Sequence, residues 1–216
     1  NACVIDPSES EPIIQIIEKN QLNLKYILNT HHHYDHVGGN EKLKKRYNSK
    51  VVGFKNDKDR IPEIDVLVEN NQIWKEENFE AKIYHIPGHT TGHIAYHFFK
   101  EKKIFTGDTL FSLGCGRIFE GSYEDMFNSL LRLKVLPPET KVYFGHEYTL
   151  NNAIFCQRFD QNNSELNKKI LNIKKKLDSG FPSVPSTIKD ELNCNIFLRA
   201  KNQEEFSKLR DLKDNF

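Results

Sequence analysis

The chain has 216 residues, enough for one large domain or a domain with a small appendage. Hydrophobic residues make up 38% and charged residues 28%, and 31 basic against 30 acidic side chains leave a formal charge of +1. That balance lacks the basic excess of a general nucleic-acid binder, and no apolar run approaches the roughly 18 residues a membrane helix needs.

"ACVIDP" reads as a short buried strand ended by Pro7, and "SESEPIIQIIEKN" as a serine-capped helix with Ile13, Ile14, Ile16 and Ile17 at helical spacing. "LKYILNT" is a strand, "GGNEKLKKRY" a helix restarted after two glycines, and "KVVGF" a strand again. From 64 to 99 the pattern is β: "DVLVEN", "QIWKEENFEAKIYHIPG" and "HIAYHFF", broken by polar turns. "KKIFTGDTL" is a buried strand with Asp108 at its end, and "SYEDMFNSLLRLKVLPP" an amphipathic helix stopped by two prolines. "KVYFGHEYT" is the last strand expected, with His146 at its end. After Tyr148 the texture becomes charged, amphipathic and helical ("NSELNKKILNIKKKLDSG", "VPSTIKDEL", "EEFSKLRDLKDNF"), which sets a boundary near 150 and a helical appendage over 151–216. Lys174, Lys175 and Lys176 are expected on a solvated helix face.

Cys3, Cys115, Cys156 and Cys194 are scattered, with no CxxC pair and no dense framework, which fits a reducing compartment such as the cytoplasm. No targeting segment is visible, although the chain opens in mid-phrase.

Past the end of "LKYIL", residues 31–36 hold four histidines and an aspartate. Within them is an H-x-H-x-D-H pattern: His31, His33, Asp35 and His36. Imidazole and carboxylate together suit zinc-like ions. In an extended segment alternate side chains share a face, so His31 and His33 can grip one ion; Asp35 and His36, after the chain turns, can grip another. Four side chains do not complete two sites, and three further donors stand at strand ends: His89 in "PGHTTGH", Asp108 in "FTGDTL" and His146 in "FGHEYT". His32, by strand alternation, should point away from its neighbours, and His85, His93 and His97 are read as packing or supporting residues. A structural zinc site would favour cysteines and a closed shell; this set has no cysteine and leaves room for water.

The phrases "THHHYDHVGGN", "PGHTTGH", "FTGDTLF", "GCGRIFEG" and "GHEYT" resemble the metallo-β-lactamase superfamily. "VPSTIKDEL" and "LRDLKDNF" narrow the resemblance to the glyoxalase II (hydroxyacylglutathione hydrolase) family, over nearly the whole chain. The resemblance implies an α/β fold: a four-layer αβ/βα sandwich over 1–150 followed by a helical substrate-binding domain over 151–216. It implies two divalent ions, zinc first with iron or manganese as alternatives. Metal 1 would take His31, His33, His89 and Asp108, and metal 2 Asp35, His36, His146 and Asp108, with Asp35 and Asp108 also catalytic through a bridging hydroxide. It implies a glutathione thioester as the small-molecule substrate, held by Arg117, Phe119, Tyr148, Arg210 and Lys213. No nucleic-acid or membrane partner is expected, and the chain should be a monomer or weak homo-oligomer. Rival chemistries on the same pattern are a lactonase and a single-iron persulfide dioxygenase; the presence of Asp35, His36 and His146 favours two metals.

Five departures accompany the resemblance. Family members begin with further residues that form a first strand. The segment joining "AKNQEEF" to "SKLRDLK", across Phe206 and Ser207, is shorter than expected. "CNIFLR" lacks the proline of "NPFLR". Arg117 stands where lysine is frequent, and Phe119 where a tyrosine occurs.

Overall fold

The computed structural model describes residues Asn1–Phe216. The chain divides into two compact units, Asn1–His85 with Gly92–Tyr96, and Ile86–Thr91 with His97–Phe216.

The first unit runs β1 (Ala2–Ile5), α1 (Glu11–Lys19), β2 (Leu24–Leu28), α2 (Tyr34–Val37), α3 (Asn40–Tyr47), β3 (Lys50–Phe54), β4 (Ile64–Val68), β5 (Ile73–Glu76), β6 (Phe79–His85) and the start of β7 (Ile94–Phe98). Strands β1-β2-β3-β4 form an all-parallel sheet in chain order. Parallel neighbours need crossovers, and α1 and the α2–α3 pair provide the first two. The isoleucine spacing of α1 turns Ile14 and Ile17 into a core with Leu24, Ile27, Val37, Leu43, Val51 and Ile61. The expected serine cap is not made. Ser10 stands at the N-cap in a helical conformation, from which its hydroxyl does not reach the first-turn N–H groups, and Pro12 opens the helix instead. Strands β5 and β6 pair as an antiparallel hairpin.

The second unit holds the end of β7, then β8 (Lys103–Phe105), β9 (Leu110–Phe111), β10 (Gly114–Cys115), α4 (Tyr123–Lys134), β11 (Lys141–Tyr143), α5 (Thr149–Phe159), α6 (Ser164–Asp178), β12 (Ser186–Thr187), α7 (Ile188–Cys194) and α8 (Gln203–Asp214). Strand β8 pairs with β11 in parallel, and β11 pairs with β12 in antiparallel fashion. The strand β12 corrects the expectation that "KVYFGHEYT" is the last strand and "VPSTIKDEL" all helix. Two residues carry no readable period; Ser186 and Thr187 extend only because the edge of β11 is there to pair with. Thr187 then caps α7, its side chain accepting from the Asp190 N–H at 3.1 Å. Helix α4 opens on a full capping box between Ser122 and Asp125 and buries Met126, Leu130 and Leu133. Helix α6 buries Leu166, Ile170 and Ile173 on one face, while Lys174, Lys175 and Lys176 are exposed as expected. Helix α8 runs unbroken through Phe206 and Ser207, so the short segment there is ordinary helix. Phe155, Phe197 and Phe206 meet in the core, Phe197 being 5.8 Å from Phe155 and 6.2 Å from Phe206 between ring centroids. No helix is long and apolar enough to cross a membrane.

Gly88, in the turn before His89, has φ +142°. A Cβ there would lie 2.7 Å from Met126 Cβ and 2.8 Å from Met126 Cα, so both the conformation and the close approach to α4 require glycine. Gly88→Ala is expected to lower stability by about 1–3 kcal/mol, read from the urea midpoint at unchanged m-value.

Candidate metal centre

In the first unit, the donors stand in the loop that leaves β2. Parallel pairing of β1 with β2 carries Asp6 alongside Thr30: Asp6 Oδ1 accepts from the Thr30 N–H at 2.7 Å and Oδ2 from the Thr30 hydroxyl at 2.7 Å. With its proton given to Asp6, the Thr30 hydroxyl oxygen is left to accept from His31 Nδ1, 3.0 Å away. The lone pair of His31 therefore sits on Nε2, which faces His33 Nδ1 at 3.2 Å. His36 follows the same logic. Its Nδ1–H donates to Asp6 Oδ2 at 3.0 Å, leaving Nε2 on the side of Asp35, 3.9 Å from Oδ2. The fully buried Asn29 donates to the His36 carbonyl at 2.9 Å and is itself paired with Asn40, which fixes the turn at the start of α2 and α3. Donor atoms of Asp6, His31 and His36 lie within 4.8 Å of one another. Asp35 is largely exposed, whereas His31 and His36 are buried.

The second unit carries the other three expected donors. His89 Nδ1–H donates to the Arg117 carbonyl at 2.8 Å, and since a carbonyl can only accept, the lone pair of His89 sits on Nε2. That nitrogen lies 3.6 Å from Asp108 Oδ2, and His146 Nε2 lies 3.2 Å from the same oxygen. One buried carboxylate thus faces two imidazoles. Glu147, beside His146, ties that turn down. Burial pushes its carboxyl up, but hydrogen bonds from Ser183 and Thr149 outweigh this and hold it below the usual glutamate value.

This donor chemistry fits metal ions. A ligating histidine needs its second nitrogen held by an acceptor so that tautomer and ring direction are set, and His31, His36 and His89 each have one. The cysteines offer nothing comparable. Burial pushes Cys3 and Cys194 up to about 11 and Cys156 to about 12, so none is a thiolate at neutral pH.

The expected substrate-binding residues have different settings. Arg117, Phe119 and Tyr148 are exposed; Tyr148 stacks on His146 at 5.0 Å between centroids, and the Phe119 ring meets His89 edge-on at 5.1 Å. Arg210 is only 3% exposed. It donates to the Cys115 carbonyl at 2.8 Å and to Asp214 at 2.9 Å, with Nε without a partner. Lys213 lies over the rings of Phe155 and Phe216 and donates to Asn151. Burial, and then the neighbouring Arg210 and Arg117 charges, lower its ammonium from the ordinary lysine value. Three cations gathered near one acceptor, Asp214, leave positive charge that an anion would offset.

Two carboxylates lie outside the expected set. Asp6 is legible only as an acid at the end of the first strand. Asp57 is buried beside His32, 3.4 Å from Nδ1, and is neutralised by Arg60 at 2.5 Å. His32 faces Asp57 with its ring still 5.0 Å from that of His33, and strand alternation does not set its direction, since residues 31–33 lie beyond β2. Among the other histidines, His93 stacks on His31 at 4.5 Å, and His85 stacks on Phe54 at 4.7 Å, as packing residues do.

A sequence model described as the metallo-beta-lactamase superfamily matches residues 2–146, and one described as the hydroxyacylglutathione hydrolase C-terminus matches residues 147–216. The hydroxyacylglutathione hydrolase of Pelagibacter ubique is 63% identical over 215 residues, covering 100% of this chain and 90% of its own. That of Rhodospirillum rubrum is 44% identical over 204 residues, covering 94% and 80%. Among solved structures, ETHE1 from Myxococcus xanthus superposes with a TM-score of 0.71 at 26% identity, covering 95% of this chain and 77% of that one. TTHA1623, determined in a di-iron-bound form, superposes with a TM-score of 0.56 at 30% identity, covering 65% and 79%.

Asp6→Asn puts an amide where both the Thr30 hydroxyl and the His36 ring need an acceptor. Metal affinity should fall roughly 10–100-fold, as measured by chelator competition, with far-UV circular dichroism retained.

Proposed function

The chain belongs to the hydroxyacylglutathione hydrolase family of the metallo-β-lactamase superfamily, and from that premise we propose that it hydrolyses S-(2-hydroxyacyl)glutathione, S-D-lactoylglutathione foremost, to glutathione and D-lactate, the second step of methylglyoxal detoxification. The observation that carries the reading is the match of residues 147–216 to the hydroxyacylglutathione hydrolase C-terminus, joined to a chain-long identity of 63% with a curated hydrolase. The α/β sandwich is that of the superfamily, and it is followed by helices. The division we propose is a catalytic domain over 1–150 and a helical substrate-binding domain over 151–216, supported by the change of matching family at 146/147. The proposed setting is the cytoplasm, and no nucleic acid or membrane takes part.

Superfamily membership implies a binuclear metal centre. The ligands we propose are His31, His33, His89 and Asp108 for one ion and Asp35, His36, His146 and Asp108 for the other. Zinc suits this nitrogen–oxygen set, and iron or manganese would be accepted by it. Divalent ions held there would supply Lewis acidity, polarising a carbonyl and making a bound water acidic near neutral pH.

The chain's own residues do the rest. Asp6, Thr30 and the Arg117 carbonyl keep the imidazoles aimed. We assign the exposed Asp35 to orient the attacking water, and Asp108 presents one carboxylate oxygen to both His89 and His146. Attack on the acyl carbon breaks the carbon–sulfur bond. Glutathione leaves as a thiolate, a weak enough base to depart without a strong general acid. Glutathione carries two carboxylates and one ammonium; Arg117 and Lys213 offer cations for the carboxylates, and Arg210, enclosed and held by Cys115 and Asp214, adds its charge to theirs. Phe119 and Tyr148 supply aromatic faces, Tyr148 with a hydroxyl where Phe119 has none.

The direct test is the purified protein on S-D-lactoylglutathione beside a simple lactone, with metal content measured in the same sample. Thioester turnover with about two equivalents of metal is expected; lactone turnover alone would overturn the reading. A protonated Lys213 is needed to hold a carboxylate, and its lowered value means that charge is lost as pH rises, sooner than for an ordinary lysine. KM is therefore expected to climb at alkaline pH while kcat holds. Lys213→Gln should raise KM roughly 10–100-fold at neutral pH and remove that alkaline limb.

A further inference from the structure

Glu191, on α7, is wholly buried, and it does not point at any of the proposed ligands. Its Oε2 accepts from the Leu113 N–H at 2.7 Å and from Asn195 Nδ2 at 3.0 Å. Its Oε1 accepts from Lys169 Nζ at 2.6 Å, from the Ser112 hydroxyl at 3.3 Å, and from the Ser186 hydroxyl. Asn195, also wholly buried, donates to the Gly114 carbonyl at 3.0 Å and the Phe111 carbonyl at 3.3 Å. Asn152 donates to the Ser112 carbonyl at 3.1 Å, the Cys156 thiol to the Leu113 carbonyl at 3.1 Å, and Arg210 to the Cys115 carbonyl at 2.8 Å. Phe111, Ser112, Leu113, Gly114 and Cys115 among these partners make up the β9–β10 hairpin, while Lys169, Ser186 and Asn195 lie outside it.

That hairpin has two paired residues per strand and, at Leu113, a non-glycine residue with φ +60°. Strands so short do not hold a register by themselves. Its outgoing end is under tight constraint. The Gly116 N–H donates to the Thr109 carbonyl at 3.2 Å, and a Cβ on Gly116 would lie 1.9 Å from the Asp108 carbonyl oxygen and 3.3 Å from His89 Nδ1. One residue further, the Arg117 carbonyl accepts the His89 Nδ1–H. A buried ion pair such as Lys169–Glu191 is a weak way to gain stability. A rigid acceptor for two backbone and side-chain donors is a strong way to fix where a hairpin lies.

We propose that Glu191, with Asn195 beside it, is a positioning residue for His89: it clamps the β9–β10 hairpin so that the Arg117 carbonyl meets the His89 ring. The helices that follow residue 150 thereby set the direction of a metal ligand as well as binding substrate. The role as ligand rests on the reading of His89 given above; the clamp on its ring does not.

The experiment uses the full-length, zinc-loaded protein and the variant Glu191→Gln, which puts an amide donor opposite either the Leu113 N–H or the Lys169 ammonium. Hydrogen exchange of the ring N–H groups, read by imidazole nitrogen NMR, should be faster at His89 by about tenfold or more and unchanged at His36, whose partner is Asp6. Zinc affinity by chelator competition should weaken roughly tenfold. A folded Glu191→Gln protein with a lower melting temperature but wild-type exchange at His89 would overturn the proposal. Should Glu191→Gln not fold, Asn195→Ala is read the same way, since it frees the Phe111 and Gly114 carbonyls and leaves Lys169 paired with Glu191. A His89→Ala protein that keeps two equivalents of zinc would defeat the ligand reading alone, because the exchange measurement on His89 stands without it.

Discussion

An imidazole offers a metal a fixed nitrogen when an acceptor holds the other, setting tautomer and ring direction. That constraint organises this molecule. His31, His36 and His89 each commit Nδ1 to an oxygen, from Thr30, Asp6 and the Arg117 carbonyl respectively, and each carries its lone pair on Nε2. Without those acceptors the rings would rotate and exchange tautomers, and the donor set would exist only on average.

Seen from that constraint, much of the architecture has a task. The parallel pairing of β1 and β2 brings the acid at the end of one strand beside the threonine at the end of the next, so one carboxylate serves Thr30 and His36 together. The buried Asn29–Asn40 pair fixes the carbonyl of His36. In the second unit the glycine turn at Gly88 and the hairpin at 110–115 deliver the backbone carbonyl that His89 needs. Rigid strands supply position and the loops after them supply chemistry.

Charge is divided with similar economy. The proposed ligands gather carboxylates and neutral imidazoles, while the cations stand on the exposed loop at Arg117 and on α8. Arg210 shows that a residue type does not reveal its duty. Its guanidinium is almost wholly enclosed and is engaged with Cys115, Asp214 and the face of Phe197, 5.2 Å from the ring centroid. Its charge is felt by Lys213 all the same, because buried charges are poorly screened.

Local spacing made the candidate donors legible. H-x-H-x-D-H is a short-range pattern, and His89, Asp108 and His146 each follow a run whose strand character shows in a few residues. The helices of the second half were equally readable, since a 3.6-residue period such as Leu166, Ile170, Ile173 lies within one stretch of chain. What the sequence did not disclose is every partner that comes from afar. Asp6 meets His36 across 30 positions, the Arg117 carbonyl meets His89 across 28, and Glu191 meets Leu113 across 78. The two-residue strand β12, the enclosure of Arg210 and the turn of His32 toward Asp57 belong to the same class. The sequence by itself determined which side chains can ligate and which segments are regular, because both are properties of neighbouring residues. Only the tertiary structure decided which nitrogen of His36 and of His89 carries the lone pair, because that depends on an acceptor contributed by a distant part of the chain.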